Sequence, residues 1–351
     1  MKKINVLSLF DGISCGRVAL EKAGILLNKY YASEINQYSI KIALKNYPDT
    51  IELGDVRELN KENIPEDIDL LIGGSPCQSF SFVGKMDGMT FVEGEKKIEI
   101  LTLDDYLRAK SLNFKFKGES YLFWEFIRVL KEIKPKYFLL ENVNMTEHWE
   151  KVITRALGVE PIRINSALLS AQNRKRLYWT NLPVKGNPEN MNILLNSILI
   201  NENENENVFE NVGEVLTIQK SLSKIQKKYG YIPKMFNAYN CSEILEKSPT
   251  LSLGSMVTSS CATTIFVKKQ NGEYIVNNKK IIINNKVYDT KLENGRYIIR
   301  KLLPMECERL QTLPDNYTLG VSDSQRYKMI GNGWTVAVVK WIFSHYPKEE
   351  K

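Results

Sequence analysis

Between residues 4 and 183, short apolar runs alternate with amphipathic stretches, the pattern of βαβ units around a mainly parallel sheet. Residues 4–10 read as a first strand, followed by a glycine-containing turn and a helix reaching about Ala23. A second strand at 30–33 ends at Glu34, and residues 36–46 have helical spacing that Pro48 stops. Residues 51–53 lead into Gly54-Asp55, and a fourth strand at 68–72 runs into Gly73-Gly74-Ser75-Pro76-Cys77. Leu122, Phe126, Val129, Leu130 and Ile133 recur at helical spacing over 121–134, Pro135 ends that helix, and the strand at 137–140 delivers Glu141 and Asn142. The expected fold class is therefore α/β, with a mainly parallel, doubly wound sheet. In such sheets ligands sit at the carboxyl ends of the strands, where the polar residues named here fall.

The pattern changes after residue 183. Asn201-Glu202-Asn203-Glu204-Asn205-Glu206-Asn207 is a low-complexity repeat that reads as a solvated linker. From about 208 to 300 the chain is rich in Asn, Lys, Ser and Thr, and the alternation at 281–288 suits a hairpin. A smaller β-rich domain is expected over 184–302. The first style returns at 303–351, with a helix at 304–311 and an apolar element at 336–343 expected to pack on the first domain, 1–183.

Composition narrows the class only slightly. The 351 residues are 43% hydrophobic and 25% charged, ordinary for a globular protein. No run approaches the eighteen or so apolar residues a membrane helix needs, so no membrane is expected as a partner. The apolar start is broken by Asp11 and Gly12 with no small-residue cleavage site following, and a cytoplasmic location is expected. Five well-separated cysteines without a C-x-x-C pair argue against disulfides and zinc, and no metal is expected. The net charge of +7 is compatible with a polyanionic partner without requiring one.

Four stretches carry candidate chemistry. Phe10 to Gly16 follows a strand and opens a helix, with glycines that let a ligand approach the backbone. Glu34 closes the next strand about twenty residues on, where an acid commonly holds ribose hydroxyls. A tight turn with a surface acid is the plainer reading. The G-x-G-x-x-G spacing for a pyrophosphate is missing, which favours an adenosine ligand without one, such as S-adenosylmethionine. Cys77, after two glycines and a proline at a strand end, is either a presented nucleophile or a small buried filler. Glu141 suits the N3 and 4-amino edge of a pyrimidine, and an arginine of Arg174 and Arg176 suits its O2. An ion pair and a solvated face are the alternatives.

Taken in order, Phe10 to Gly16, Gly74-Ser75-Pro76-Cys77-Gln78, Glu141-Asn142-Val143, Gln172-x-Arg174-x-Arg176, Arg309-Leu310-Gln311-x-x-Pro314 and Gly331-Asn332-Gly333-Trp334 resemble the motifs of the C5-cytosine DNA methyltransferases. The resemblance spans nearly the whole chain except 183 to about 300, which looks like the family's variable target-recognition region. Phe-Asp-Gly-Ile at the start, Ala-Ser-Glu at 32–34, Gly-Asp-Val-Arg at 54–57 and Trp334 look closest to the de novo branch, whereas the single-unit build looks bacterial or phage-like. The location implied is thus the cytoplasm of a bacterial or phage-infected cell.

The resemblance implies that Cys77 adds to cytosine C6, that Glu141 binds and protonates N3, and that Arg176 holds O2 with Arg174 in support; Asn142 is grouped with them. Burial is expected to raise the pKa of Glu141. It further implies an S-adenosyl-L-methionine pocket lined by Phe10, Gly12, Ile13, Gly16, Glu34, Ile35, Asp55, Val56, Pro76, Leu122, Asn332 and Trp334. In that pocket Glu34 holds the ribose, Asp55 the adenine amino group, and Ile35 and Val56 the ring faces. The partner is double-stranded DNA with the target base rotated out, and there is room for a cognate restriction endonuclease; oligomeric state is open. Residues 84–119 depart from the family's compact pattern through an insertion at 96–117 with a helix at 103–111, either a DNA clamp or surface decoration. Lys247-Ser248-Pro249-Thr250-Leu251 resembles the family's Thr-Leu feature, and Lys268, Lys269, Lys279, Lys280 and Lys286 are candidate phosphate contacts. A transfer-RNA methyltransferase lacks support because no Cys-Phe-Thr signature is present. A silent DNA-binding regulator is disfavoured because Cys77, Glu141 and Arg176 are all retained, and a nicotinamide oxidoreductase would leave Pro76-Cys77 without a role.

Overall fold

The computed structural model describes residues 2–64, 66–76, 80, 88–200, 218–251 and 263–347. Cys77, Gln78, most of the loop after them, the Asn-Glu repeat and residues 252–262 lie outside the described residues. The chain packs as two compact units, one of residues 1–166, 175–189 and 333–351, the other of 167–174 and 190–332.

The first unit begins with β1 (Ile4–Leu9), α1 (Cys15–Lys22), β2 (Leu27–Ser33), α2 (Gln37–Asn46), β3 (Ile51–Glu52) and β4 (Leu70–Gly73). Helix α2 starts where expected because the Asn36 side chain accepts from the amides of Tyr38 and Ser39. Next come β5 (Thr90–Glu93), β6 (Lys96–Glu99), α3 (Leu103–Ser111) and β7 (Lys115–Lys117), whose strands form a small antiparallel sheet in the order β6-β5-β7. Thr102 and Asp105 close a reciprocal capping box on α3. Then follow α4 (Phe123–Ile133), β8 (Tyr137–Val143), α5 (Glu147–Leu157), β9 (Ile162–Asn165) and β10 (Lys175–Thr180).

The main sheet has the order β3-β2-β1-β4-β8-β10-β9. Strands β3, β2, β1, β4 and β8 pair in parallel, and β10 runs antiparallel to both neighbours. Strand order reverses between β1 and β4, so the crevice outside their carboxyl ends is the place where such a sheet receives a ligand. Leu7, Leu9, Leu71, Phe126, Leu140 and Trp179 are buried in the core beneath it.

The second unit contains α6 (Ile218–Tyr229), then β11 (Met235–Asn237), β12 (Ser242–Glu243), β13 (Thr263–Lys268), β14 (Tyr274–Asn277), β15 (Lys280–Ile283), β16 (Lys286–Asp289) and β17 (Gly295–Lys301). They form an antiparallel sheet in the order β12-β11-β13-β17-β14-β15-β16, with the expected hairpin at β15–β16. Two further helices, α7 (Pro304–Leu310) and α8 (Asp323–Asn332), belong to this unit because Leu302, Cys307, Leu310 and Ile330 bury with Met235 and Ile265. Helix α9 (Val336–Phe343) is part of the first unit and packs on α1. The packing boundary thus falls at 332 rather than 302. No helix among the described residues is long and apolar enough to cross a membrane.

Candidate active site

The carboxyl ends of β1, β2, β4 and β8 bring most of the expected residues of the first unit together. After β1 the backbone turns through three left-handed positions, Phe10 (φ 56°), Gly12 (φ 60°) and Ser14 (φ 58°), before α1 begins. Left-handed non-glycine residues persist only where their surroundings hold them. Here Ser14 donates to Asp11, whose other oxygen accepts from the Tyr30 hydroxyl at 2.6 Å. The amide of Gly12 is held at 2.8 Å by Oε2 of Glu34, while Oε1 accepts from the amides of Ile35 and Asn36 at 2.8 Å each. Oε2 accepts one of the two bonds it can form, and the second lone pair suits a hydroxyl donor.

Asp55 follows β3 as the cap of a short 3-10 turn (Val56–Glu58), accepting from the Arg57 amide and from its guanidinium, with Nε 3.0 Å from each carboxylate oxygen. The hydrogen bonds and charge of Arg57 hold the carboxyl of Asp55 below its ordinary range. Ile35 is exposed, whereas Val56 is buried with the core; Phe10 and Leu122 are half-buried against that core, and Ile13 is buried.

Trp334 lies over a floor of small residues. A methyl group added at Gly16 would come 3.3 Å from its ring, and one at Gly74 would come 2.8 Å from its Nε1 and 3.4 Å from Oε2 of Glu141. Gly74, Trp334 and the Glu141 carboxylate therefore share one small space at the ends of β4 and β8. Glu141 is 8% exposed and its Oε1 is 3.0 Å from Nε of Arg176, on the adjacent strand β10. The next residue, Asn142, is buried and donates to Oγ of Ser75 at 3.1 Å, which ties the Gly74-Ser75-Pro76 turn to β8 immediately ahead of Cys77.

Arg174 and Asn332 lie in the second unit. Arg174 is buried there, donating to the carbonyls of Leu251 and Gly331 at 3.1 Å each, and Asn332 is exposed at the end of α8. The Lys247-to-Leu251 segment borders the same stretch: Ser248 and Gln172 form a β-bridge, Thr250 donates to the carbonyl of Asn173, and Lys247 Nζ reaches the carbonyls of Ala167 and Ser170 at 2.9 and 3.0 Å. Lys268, Lys279, Lys280 and Lys286 are exposed and Lys269 is half-buried.

Sequence reasoning assigned no role to two residues at this site, Asp11 and Glu52. Burial draws the pKa of Asp11 upward, against its hydrogen bonds to Ser14, Ser8 and Tyr30. Glu52, on β3, has both carboxylate oxygens buried without a hydrogen-bond partner among the described residues, and burial followed by the charges of Asp11 and Glu34 pushes its pKa up to about 7. The available signal for Asp11 was its place inside the Phe10–Gly16 turn. For Glu52 the sequence offered only a strand position.

The first unit is thus a doubly wound sheet with an acid, Glu34, after β2 and an acid–arginine pair, Glu141 and Arg176, on β8 and β10. A family model described as C-5 cytosine-specific DNA methylase matches residues 4–101 and 109–348, and the chain belongs to that family. It is a DNA cytosine methyltransferase. Among its relatives, the orphan methyltransferase M.SPBetaI of Bacillus phage SPbeta is 27% identical, covering 98% of this chain and 97% of that one. The type II methyltransferase M1.ScrFI of Lactococcus lactis subsp. cremoris is 26% identical over 97% and 77% of the two chains. The same fold occurs in the methyltransferase EhMeth of Entamoeba histolytica (TM-score 0.58, 16% identity, 99% and 100% covered). It also occurs in a mutant DNMT2 of Spodoptera frugiperda (TM-score 0.63, 17% identity, 98% and 99% covered).

Proposed function

We propose that the chain methylates carbon 5 of a cytosine rotated out of duplex DNA, using S-adenosyl-L-methionine and a covalent link from Cys77 to cytosine C6. The observation that carries this reading is the meeting of the Asn142-anchored turn before Cys77 with the Glu141–Arg176 pair beside Trp334.

The first unit fits the donor. Glu34 has acceptor capacity for ribose hydroxyls, Asp55 for the adenine amino group, and the Trp334 ring over Gly16 and Gly74 forms a wall. Phe10, Gly12, Ile13, Ile35, Val56, Pro76 and Leu122 complete that lining in the first unit. Asn332 is assigned to the same role from the family motif. When bound, S-adenosyl-L-methionine supplies a methyl group made electrophilic by a sulfonium.

The thiolate of Cys77 forms a bond to C6, and the ring electrons move toward N3, where Glu141 delivers a proton. That converts an unreactive aromatic carbon into an enamine whose C5 is nucleophilic. Arg176 orients Glu141 and holds O2, so both polar edges of the base are fixed while the ring rehybridises. Arg174 supports this arm by anchoring the stretch before β10. As C5 takes the methyl group, with S-adenosylhomocysteine as the leaving group, N3 returns its proton to Glu141; the C5 proton then leaves to water, and its bonding electrons re-form the C5–C6 double bond and expel the Cys77 thiolate. Rotating the base out costs a few kcal/mol, which the closed site must offset. The second unit takes the role of target recognition, with Lys268, Lys269, Lys279, Lys280 and Lys286 on phosphates. A cognate restriction endonuclease is proposed on the same footing.

Bisulfite sequencing of DNA from a host expressing the protein tests the reading and reveals the target sequence. Wild-type protein should protect cytosines in one sequence context, and Cys77→Ser should abolish that protection. Methylation that persists in Cys77→Ser would refute the covalent mechanism. Incorporation of label into transfer RNA but not duplex DNA would refute the substrate.

A further inference from the structure

The β5-β6-β7 sheet and α3 form an insertion whose inner contacts lead to one place. Glu125, on α4, is fully buried. Its Oε1 accepts from the Tyr106 hydroxyl and, at 2.7 Å, from Lys110 Nζ, both on α3. Its Oε2 accepts from Arg128 Nε at 2.6 Å, and Arg128 Nη2 donates onward to the Val56 carbonyl at 3.0 Å. A second route runs beside it. Phe116 of β7 stacks on Tyr121 at 4.1 Å and 16°, and Tyr121 interacts electrostatically with Arg57, which grips Asp55. Both routes end on Asp55-Val56, one from a charged network and one from an aromatic stack.

We propose that this insertion positions the adenine end of the cofactor pocket, with Tyr106, Lys110 and Phe116 as positioning residues acting through Glu125–Arg128 and Tyr121–Arg57. The inference rests on the assignment of Asp55 and Val56 to a purine. Its physical basis is the desolvated Glu125 carboxylate, which shares Arg128 with Glu132 (Nη1 at 2.9 Å); removing a donor leaves a buried charge under-satisfied, which draws Arg128 toward Glu125 and away from the Val56 carbonyl. A DNA clamp is the weaker account of the same segment. Between 90 and 119 the acids Glu93, Glu95, Glu99, Asp104, Asp105 and Glu119 balance the bases Lys96, Lys97, Arg108, Lys110, Lys115 and Lys117, so the segment carries no net attraction for phosphates.

The test measures S-adenosylhomocysteine binding by calorimetry, together with separate KM values for S-adenosylmethionine and DNA, on the full chain. Tyr106→Phe combined with Lys110→Met should weaken homocysteine-product binding and raise the donor KM three- to tenfold, with kcat at saturating donor and the DNA KM within twofold of wild type. Lys110→Arg should restore most of the affinity. Phe116→Leu serves as an independent variant along the aromatic route, with the same expected split. Unchanged donor constants, or a rise confined to the DNA KM, would overturn the inference. Asp55→Ala separates the two layers. If Asp55→Ala weakens binding while the insertion variants do not, only the positioning role falls; if Asp55→Ala has no effect, the purine assignment fails and this inference with it.

Discussion

At the scale of single residues, Glu52 is a carboxylate held in a place that disfavours its charge. Its buried oxygens lack a hydrogen-bond partner among the described residues, and its pKa of about 7 stands above the value near 4.5 it has in an unfolded chain. Between those two values the folded protein keeps a proton that the unfolded chain has lost. Stability therefore falls as pH rises through that window and levels off above it, with Asp11 contributing in the same sense. Glu52→Gln removes the penalty. After discounting for partial exposure, the variant should gain about 1–2 kcal/mol over wild type at pH 8 and little at pH 5. Urea unfolding at both pH values checks this, and an equal difference at both would dismiss a buried proton. Glu34 and Glu141 could be read from sequence because strand ends advertise themselves as a change from apolar to polar. Glu52 could not, since its burial depends on β3 pairing with β2 and on Asp11 and Glu34, more than fifteen residues away, coming alongside.

At the scale of elements, local signals carried far. Asn36 capping α2, the box on α3 and the apolar run of α9 are each written in a few adjacent residues, and the elements appear over 37–46, 103–111 and 336–343. Strand β9 was not legible, because Arg163 and Asn165 interrupt its apolar character and only β10 gives it a partner. Nor did the sequence show that β10 would insert antiparallel beside β8, the step that sets Arg176 against Glu141. The turn after β4 is legible as a motif, but its steric reason is tertiary. A side chain at Gly74 meets the indole of Trp334 before any ligand arrives. Gly74→Ala should displace Trp334, destabilise the fold by about 1–3 kcal/mol and reduce kcat/KM for the donor at least tenfold. Stability measured by urea titration alongside donor KM decides the matter; a variant with wild-type donor KM would show that Trp334 is no wall of the pocket.

At the scale of the whole molecule, the two units interleave along the chain, crossing at 166, 174, 189 and 332. The helix-forming, apolar style of the first domain returns after Leu302, which is why 304–332 is expected there; that style is local and does not say which core buries it. Beside the apolar cluster that holds α7 and α8 in the second unit, a buried pair ties the same segment to β17. Arg300, at the end of β17, donates through both terminal nitrogens to Glu306 of α7 at 2.7 Å, and the two side chains are 1% and 0% exposed. The same carboxylate accepts from the amides of Ile200 and Leu303, so one charge joins three separate stretches of chain. Truncating one partner strands the other's charge away from water, which typically costs about 3–5 kcal/mol. Arg300→Ala should therefore destabilise the second unit by that amount. The five tryptophans, 124, 149, 179, 334 and 341, all belong to the first unit, whereas backbone circular dichroism reports on both. In urea the variant's circular dichroism midpoint should fall while its tryptophan transition lags behind, splitting a transition into two where the units unfold separately. A circular dichroism midpoint that moves by less than the equivalent of about 1 kcal/mol would mean that the Arg300–Glu306 pair merely replaces contacts the unit can make without it.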